Sequence, residues 1–152
     1  MLKKSLLFPS VTNSKSKTPL TLTFLRRAID VIRNALAMGA DKGIHVITDM
    51  PTDKDLQPLA VAKIFKSIIE KENIDLALLG KQAIDDDYVQ TGQILASILG
   101  WPSATFGSKI EFGDKEAAVT REVDFGLQKI SVPLPAVFTV DLRLNVPRFA
   151  KV

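Results

Sequence analysis

The chain has 152 residues, 20 Lys and Arg against 17 Asp and Glu, a hydrophobic fraction of 46%, one histidine and no cysteine. Its length suits a single domain that buries about two thirds of its unfolded surface, and no apolar run approaches a membrane span. The lack of cysteine excludes disulfides, thiolate metal sites and a cysteine nucleophile, and the lone His45 excludes most zinc sites and catalytic triads.

The charge is unevenly spread. Lys3, Lys4, Lys15, Lys17, Arg26 and Arg27 precede Asp30, the first acidic residue, so the rest of the chain is mildly acidic. A nucleic-acid groove needs clustered cations, and this balance argues against one. Residues 1–27, rich in Leu, Ser, Thr and Lys and free of acids, have the composition of a mitochondrial transit peptide or of a disordered start.

Beyond the leader, Leu25, Ile29, Ile32 and Leu36 share one helical stripe, with Gly39 placed as a left-handed cap. Residues 43–48 read as a strand. After a polar loop, Val61, Ile64, Phe65 and Ile68 mark a second helix ending near Asn73. Residues 74–79 are a continuous apolar run, as expected of a parallel strand covered on both faces. A polar loop and a third helix over 88–99 follow, the helix stopped by Gly100 and Pro102. The alternation predicts an α/β fold with a partly parallel sheet and flanking helices, of the adenine-nucleotide-binding, Rossmann-like kind.

The pattern then changes. Phe106, Ser108, Ile110 and Phe112 alternate with polar residues, Gly113-Asp114 makes a tight turn, and Ala117, Val119, Arg121 and Val123 alternate again, predicting an antiparallel hairpin. A third run over 127–132 follows the turn Asp124-Phe125-Gly126. Pro133 and Pro135 bracket the exit into the apolar strand 136–142, which can rejoin the main sheet. Core packing accounts for Phe106 and Phe112 on one face of the hairpin, and His45 and Trp101 read as packing residues. An open parallel sheet has about five or six strands, and this chain offers three candidates, 43–48, 74–79 and 136–142.

The segment richest in chemistry joins the end of the buried strand 74–79 to the third helix. It begins Gly80, Lys81, Gln82, Ala83 and Ile84, runs through Asp85, Asp86 and Asp87 to Tyr88 and Val89, and ends at Gln90, Thr91 and Gly92. Ligands of open α/β sheets bind at such junctions, where backbone N–H groups and the helix dipole converge. Gln90 and Thr91 are expected in the first helical turn, and Gly80 and Gly92 would permit close approach of backbone to ligand. Three readings stay open. The aspartates complement the helix dipole; they hold a magnesium ion, although consecutive residues diverge and no Walker lysine motif accompanies them; or a nucleotide is held by backbone amides, with the carboxylates turned away from its phosphate.

Four segments carry a resemblance that bears on the choice. They are Ala35-Leu-Ala-Met-Gly-Ala-Asp-Lys-Gly-Ile-His45, Asp75-Leu-Ala-Leu-Leu-Gly-Lys-Gln-Ala-Ile-Asp-Asp-Asp87, Gln90-Thr-Gly-Gln93, and Pro135-Ala-Val with Asp141-Leu-Arg-Leu-Asn145 and Pro147-Arg148. Together they resemble the electron transfer flavoprotein beta subunit over residues 28–152, about half of the usual subunit. The resemblance implies an AMP-binding subunit paired with an alpha subunit that holds most of an FAD. It further implies electron transfer in the mitochondrial matrix from acyl-CoA and related dehydrogenases to a membrane quinone oxidoreductase, with no catalytic residues of its own. By position, residues 80–91 look like the family's AMP loop, departing from it at Tyr88 and Val89. Arg121-Glu122 resembles the segment near the partner's flavin, with Glu122 as the contact; otherwise Glu122 is a solvent-facing hairpin residue. The family's opening strands and its later docking segment have no counterpart, so the chain is expected to be truncated at both ends. The alternatives are a stand-alone nucleotide-binding regulatory domain and a non-functional truncated isoform.

Overall fold

Two helices of this protein end the way their sequences dictate. The computed structural model describes residues 5–6, 20–24, 29–50, 56–83, 87–146 and 149, and the chain divides into two units, Met1–Met50 with Val146–Val152, and Pro51–Asn145. In the first unit, helix α1 (Ile29–Ala37) buries Ile32 and Ala35. It stops where Gly39 turns to φ 105°, letting the Gly39 and Ala40 N–H groups donate back to the Leu36 and Ala35 carbonyls, both at 3.0 Å. That pair of bonds satisfies the last turn of the helix.

Three strands form the sheet of this unit: β1 (Ser5–Leu6), β2 (Leu20–Phe24) and β3 (Lys42–Val46), with β1 antiparallel and β3 parallel to β2. The strand expected at 43–48 is therefore β3, and it pairs with β2 instead of serving as a third strand of the main sheet. The 1–27 segment supplies β1 and β2, which its composition did not suggest.

The second unit opens with helix α2 (Pro58–Glu72), in which Pro58 occupies the first turn, where its missing N–H costs nothing. Asn73 closes α2 in the left-handed conformation, φ 52°. Val61, Ala62, Phe65 and Ile69 are buried and Ile64 and Ile68 only half-buried, so the apolar stripe is turned from the one expected. Strand β4 (Leu76–Gly80) follows, then helix α3 (Thr91–Leu99), which packs against α2. The Lys66 ammonium of α2 caps α3 by donating to the Ile98 carbonyl at 3.0 Å.

The hairpin strands β5 (Ser103–Phe112), β6 (Glu116–Val123) and β7 (Gly126–Pro133) and the strand β8 (Ala136–Val140) complete one five-stranded sheet in the order β4-β8-β5-β6-β7. β8 is parallel to both β4 and β5, and the β5–β6 and β6–β7 pairs are antiparallel. The fold is thus α/β with a mixed sheet, and the hairpin extends that sheet. Ala136, Val137, Phe138 and Thr139 are all buried, as a central strand covered on both faces requires.

Register shifts on both edges of β5 break its alternation near Phe106, which has φ 60°. Phe106 is consequently half-buried and Phe112 is 42% exposed, so neither is the core residue the alternation predicted.

On the polar face of the hairpin the Glu111 carboxylate accepts from Lys129 at 2.7 Å and Lys109 at 2.9 Å. These two ammonium groups lower its pKa from an ordinary 4.5 to about 2. A folded-state pKa below the unfolded one means the stabilisation is present above the ordinary value and lost as pH falls towards 2. An NMR carboxyl titration should find the Glu111 midpoint near 2, moving upward in Lys129→Met and at high salt, which screens exposed pairs.

Candidate functional site

One register row crosses the sheet through Gly80, Val140, Gly107 and Arg121. Lys81 and Asp141, each next along the parallel strands β4 and β8, therefore come together although they are distant in sequence, and Glu122, on the antiparallel β6, is joined to them by Arg143. The Lys81 N–H continues the β4–β8 ladder by donating to the Val140 carbonyl at 3.0 Å.

From Lys81 the 80–91 loop folds back on itself. The Gln82 side-chain amide donates to the Asp87 carboxylate at 2.6 Å, and the Asp87 N–H donates to the Ala83 carbonyl at 3.1 Å. Asp87 and Val89 both have left-handed backbones, φ 55° and 49°. For a β-branched residue this conformation is strained, and such strain collects at ligand clamps and switches. It also explains why the third helix starts at Thr91 and not at residue 88: a chain in left-handed geometry cannot propagate a right-handed helix.

Gln90 is the N-cap of α3 and makes no side-chain capping bond; the first helical bond runs from the Ile94 N–H to the Gln90 carbonyl at 3.0 Å. The Thr91, Gly92 and Gln93 amides thus have no acceptor within the helix. Together with the dipole they form a positive terminus suited to a phosphate.

Gly92 is buried there because α3 crosses β8 at van der Waals distance. A Cβ on Gly92 would lie 2.3 Å from Cγ2 of Thr139. Gly80, in contrast, is exposed, and a Cβ there would meet nothing within 4 Å.

The structure thus places Gly80 at the end of β4, Lys81, Gln82 and Ala83 on the first limb of the loop, and Asp87, Tyr88, Val89, Gln90 and Thr91 on the limb entering α3. Ile84, Asp85 and Asp86 lie outside the described residues. Asp87 stands outside the helix with its carboxylate engaged by Gln82, which removes it from the helix-dipole reading. Among the described residues no group of His, Asp and Glu is placed to hold a metal ion.

The Lys81 side chain is tied to the end of β8. Its ammonium donates to Asp141 Oδ2 at 2.7 Å and lies 6.0 Å from the centre of the Phe106 ring, at the outer limit of a cation–π contact.

Asp141 and Arg143 complete an arrangement that sequence reasoning did not single out. Asp141 follows β8 and caps the short 3-10 helix Leu142–Leu144. Its Oδ1 accepts from the Arg143 backbone N–H at 3.0 Å and from Arg143 Nε at 2.8 Å. Arg143 then grips Glu122 with both terminal nitrogens, Nη1 to Oε1 at 2.9 Å and Nη2 to Oε2, the bidentate geometry that suits guanidinium and carboxylate. Arg143 and Lys81 hold the nearly buried Asp141 carboxyl well below the usual range, and Arg143 likewise lowers that of Glu122. The two carboxylates in turn raise the Arg143 pKa, Asp141 most. The one available signal was the motif Asp141-Leu-Arg143, an acid at a strand end with a cation two residues on. Glu122 is exposed at the end of β6 and is tied into this chain of charges, not simply presented to solvent.

The electron transfer flavoprotein domain matches residues 25–151. Among curated proteins, the chain is 56% identical over 122 residues to the electron transfer flavoprotein subunit beta of Dictyostelium discoideum, covering 80% of this chain and 47% of that protein. Against the mitochondrial subunit beta of Oryza sativa subsp. indica the identity is 54% over 124 residues, covering 82% and 49%. The Homo sapiens subunit beta is 52% identical over 121 residues, covering 80% and 48%. The chain spans about half the length of the curated relatives it matches.

Proposed function

The chain belongs to the electron transfer flavoprotein family, and from that premise we propose that it acts as an AMP-binding, beta-type subunit of an FAD-containing heterodimer. The observation that carries this reading is the 80–91 loop. It joins the carboxyl end of a buried strand to a helix terminus whose first amides lack helical acceptors, with Gly80 open to a ligand and the left-handed Asp87 and strained Val89 shaping the approach.

In this reading the backbone amides of the loop and of the α3 start hold the AMP phosphate, and the carboxylates face elsewhere. Glu122 lies at the surface that meets the alpha subunit, which contributes most of the FAD contacts. The chain supplies no acid–base or hydride chemistry of its own and is a carrier, not an enzyme. The electrons come from acyl-CoA and related dehydrogenases and pass to a membrane quinone oxidoreductase. Relatives named as mitochondrial and the acid-free basic start support residence in the mitochondrial matrix.

Co-expression with an alpha subunit, followed by sizing, flavin absorbance and mass spectrometry of extracted nucleotide, tests the proposal. The expected product is a heterodimer carrying both FAD and AMP. Failure to associate with the alpha subunit while AMP is retained would point to a stand-alone nucleotide-binding domain, and absence of AMP from a flavin-loaded heterodimer would remove the loop's assignment. Gly80→Ala sharpens the test. The added methyl meets no protein atom, so the melting temperature should hold while AMP content falls several-fold.

A further inference from the structure

Lys81, Asp141, Arg143 and Glu122 form one continuous chain of ion pairs from the start of the 80–91 loop to the end of β6. Its two cations and two anions balance, so each charge is shared between neighbours. The Asp141 side chain is only 5% exposed and lies in the middle, touching Lys81 through one oxygen and Arg143 through the other. Neither cation can change its partner without altering how strongly Asp141 holds the other.

We propose that Asp141 is a positioning residue that couples the nucleotide loop to Glu122, so that AMP binding and engagement of Glu122 by a cationic group of the partner subunit strengthen each other; this rests on the nucleotide reading above. The sign follows from the geometry. While Glu122 takes up the terminal nitrogens of Arg143, Asp141 receives only Nε and the backbone N–H from that residue and binds Lys81 tightly with its other oxygen. When a partner cation takes Glu122, Arg143 turns its full charge on Asp141, and the hold on Lys81 loosens. The Lys81 ammonium, which starts the loop, is then available to an anionic phosphate. Coupling between two binding sites is reciprocal, so AMP raises the partner's affinity by the same factor.

Glu122→Gln imitates engagement by removing the carboxylate that competes for Arg143. In the full chain the variant should bind AMP about fivefold more tightly, the low end of ordinary site-to-site coupling. In an Asp141→Asn background the same substitution should leave AMP affinity unchanged. A merely structural Glu122 would weaken binding or leave it alone, and either result overturns the proposal.

Hydrogen exchange of the unliganded chain gives a second readout that needs no nucleotide. Amides of Gln82, Ala83 and residues 87–90 should exchange several-fold faster in Glu122→Gln than in wild type, and equal rates would overturn the coupling. Should the Asp141 variant fail to fold, the Glu122 comparison alone decides. If wild type binds no AMP, the nucleotide reading fails by itself, and the exchange comparison still reports whether Glu122 reaches the loop.

Discussion

Replacing Gly92 with valine is expected to cost about 1–3 kcal/mol of stability, lowering the melting temperature by roughly 2–4 °C per kcal/mol for a chain of this size, and to abolish AMP retention. A Cβ at this position falls 2.3 Å from Cγ2 of the buried Thr139, and the Leu79 side chain lies 3.9 Å away. Valine adds two further methyl groups to a space that does not hold one. The start of α3 must then lift from β8, carrying the Thr91 and Gln93 amides with it.

Gly92→Ala isolates the cause. Alanine gains about 0.5–1 kcal/mol over glycine within a helix, so a loss of stability in this variant measures the contact with Thr139 and not the helix. Thr139→Ser removes the offending methyl and keeps the hydroxyl that accepts from the Phe106 N–H at 3.2 Å. The Gly92→Ala/Thr139→Ser double variant should therefore exceed Gly92→Ala in stability, with an interaction of about 0.5–3 kcal/mol in the cycle. Additive effects would show that the contact is not the source of the loss.

The second large effect belongs to Phe138. It is fully buried at the centre of β8, in register with Leu78 of β4 on one side and Ala104 of β5 on the other. Phe138→Ala should cost about 3–5 kcal/mol, because the lost transfer energy is joined by that of a cavity the flanking strands cannot collapse into. Set against a typical domain stability of about 5–15 kcal/mol, the variant is left marginal. Urea unfolding should show a lower midpoint with an unchanged slope, and a shift within about 1 kcal/mol would mean the core relaxes around the gap. Phe138→Leu should fall between the two.

Much of this fold is written locally. Gly39, Asn73 and Gly100 mark helix ends because each stands where a left-handed residue is needed, and the apolar runs of β4 and β8 announce strands covered on both faces. What an apolar run does not announce is its neighbours. That β8 lies between β4 and β5, and that β3 pairs with β2, depends on contacts across long stretches of chain. The alternation Leu-Thr-Leu-Thr-Phe over β2 was a strand signal, obscured by the compositional bias around it.

The candidate site divides the same way. Its place at a strand–helix junction was legible, but the start of α3 was not. Three consecutive aspartates resemble the acids of a first helical turn, whereas Asp87 and Val89 adopt left-handed backbones that valine disfavours by itself. Tertiary structure imposes that geometry. The Lys81–Asp141 pair joins residues sixty positions apart, and nothing within either local window declares it.

The position of β8 has a consequence for synthesis. It is the last strand of the sheet to leave the ribosome, yet it occupies the place that links β4 to β5. The β5–β6–β7 meander can pair as soon as it emerges, since its contacts are local. β4 cannot; it must wait without the strand it pairs with while more than fifty further residues are translated. At ordinary elongation rates of about 5–20 residues per second the wait lasts seconds, ample time for a hydrophobic strand to meet a chaperone or another nascent chain. Slowing translation just before β8 should raise the insoluble fraction, and slowing it after β8 should not.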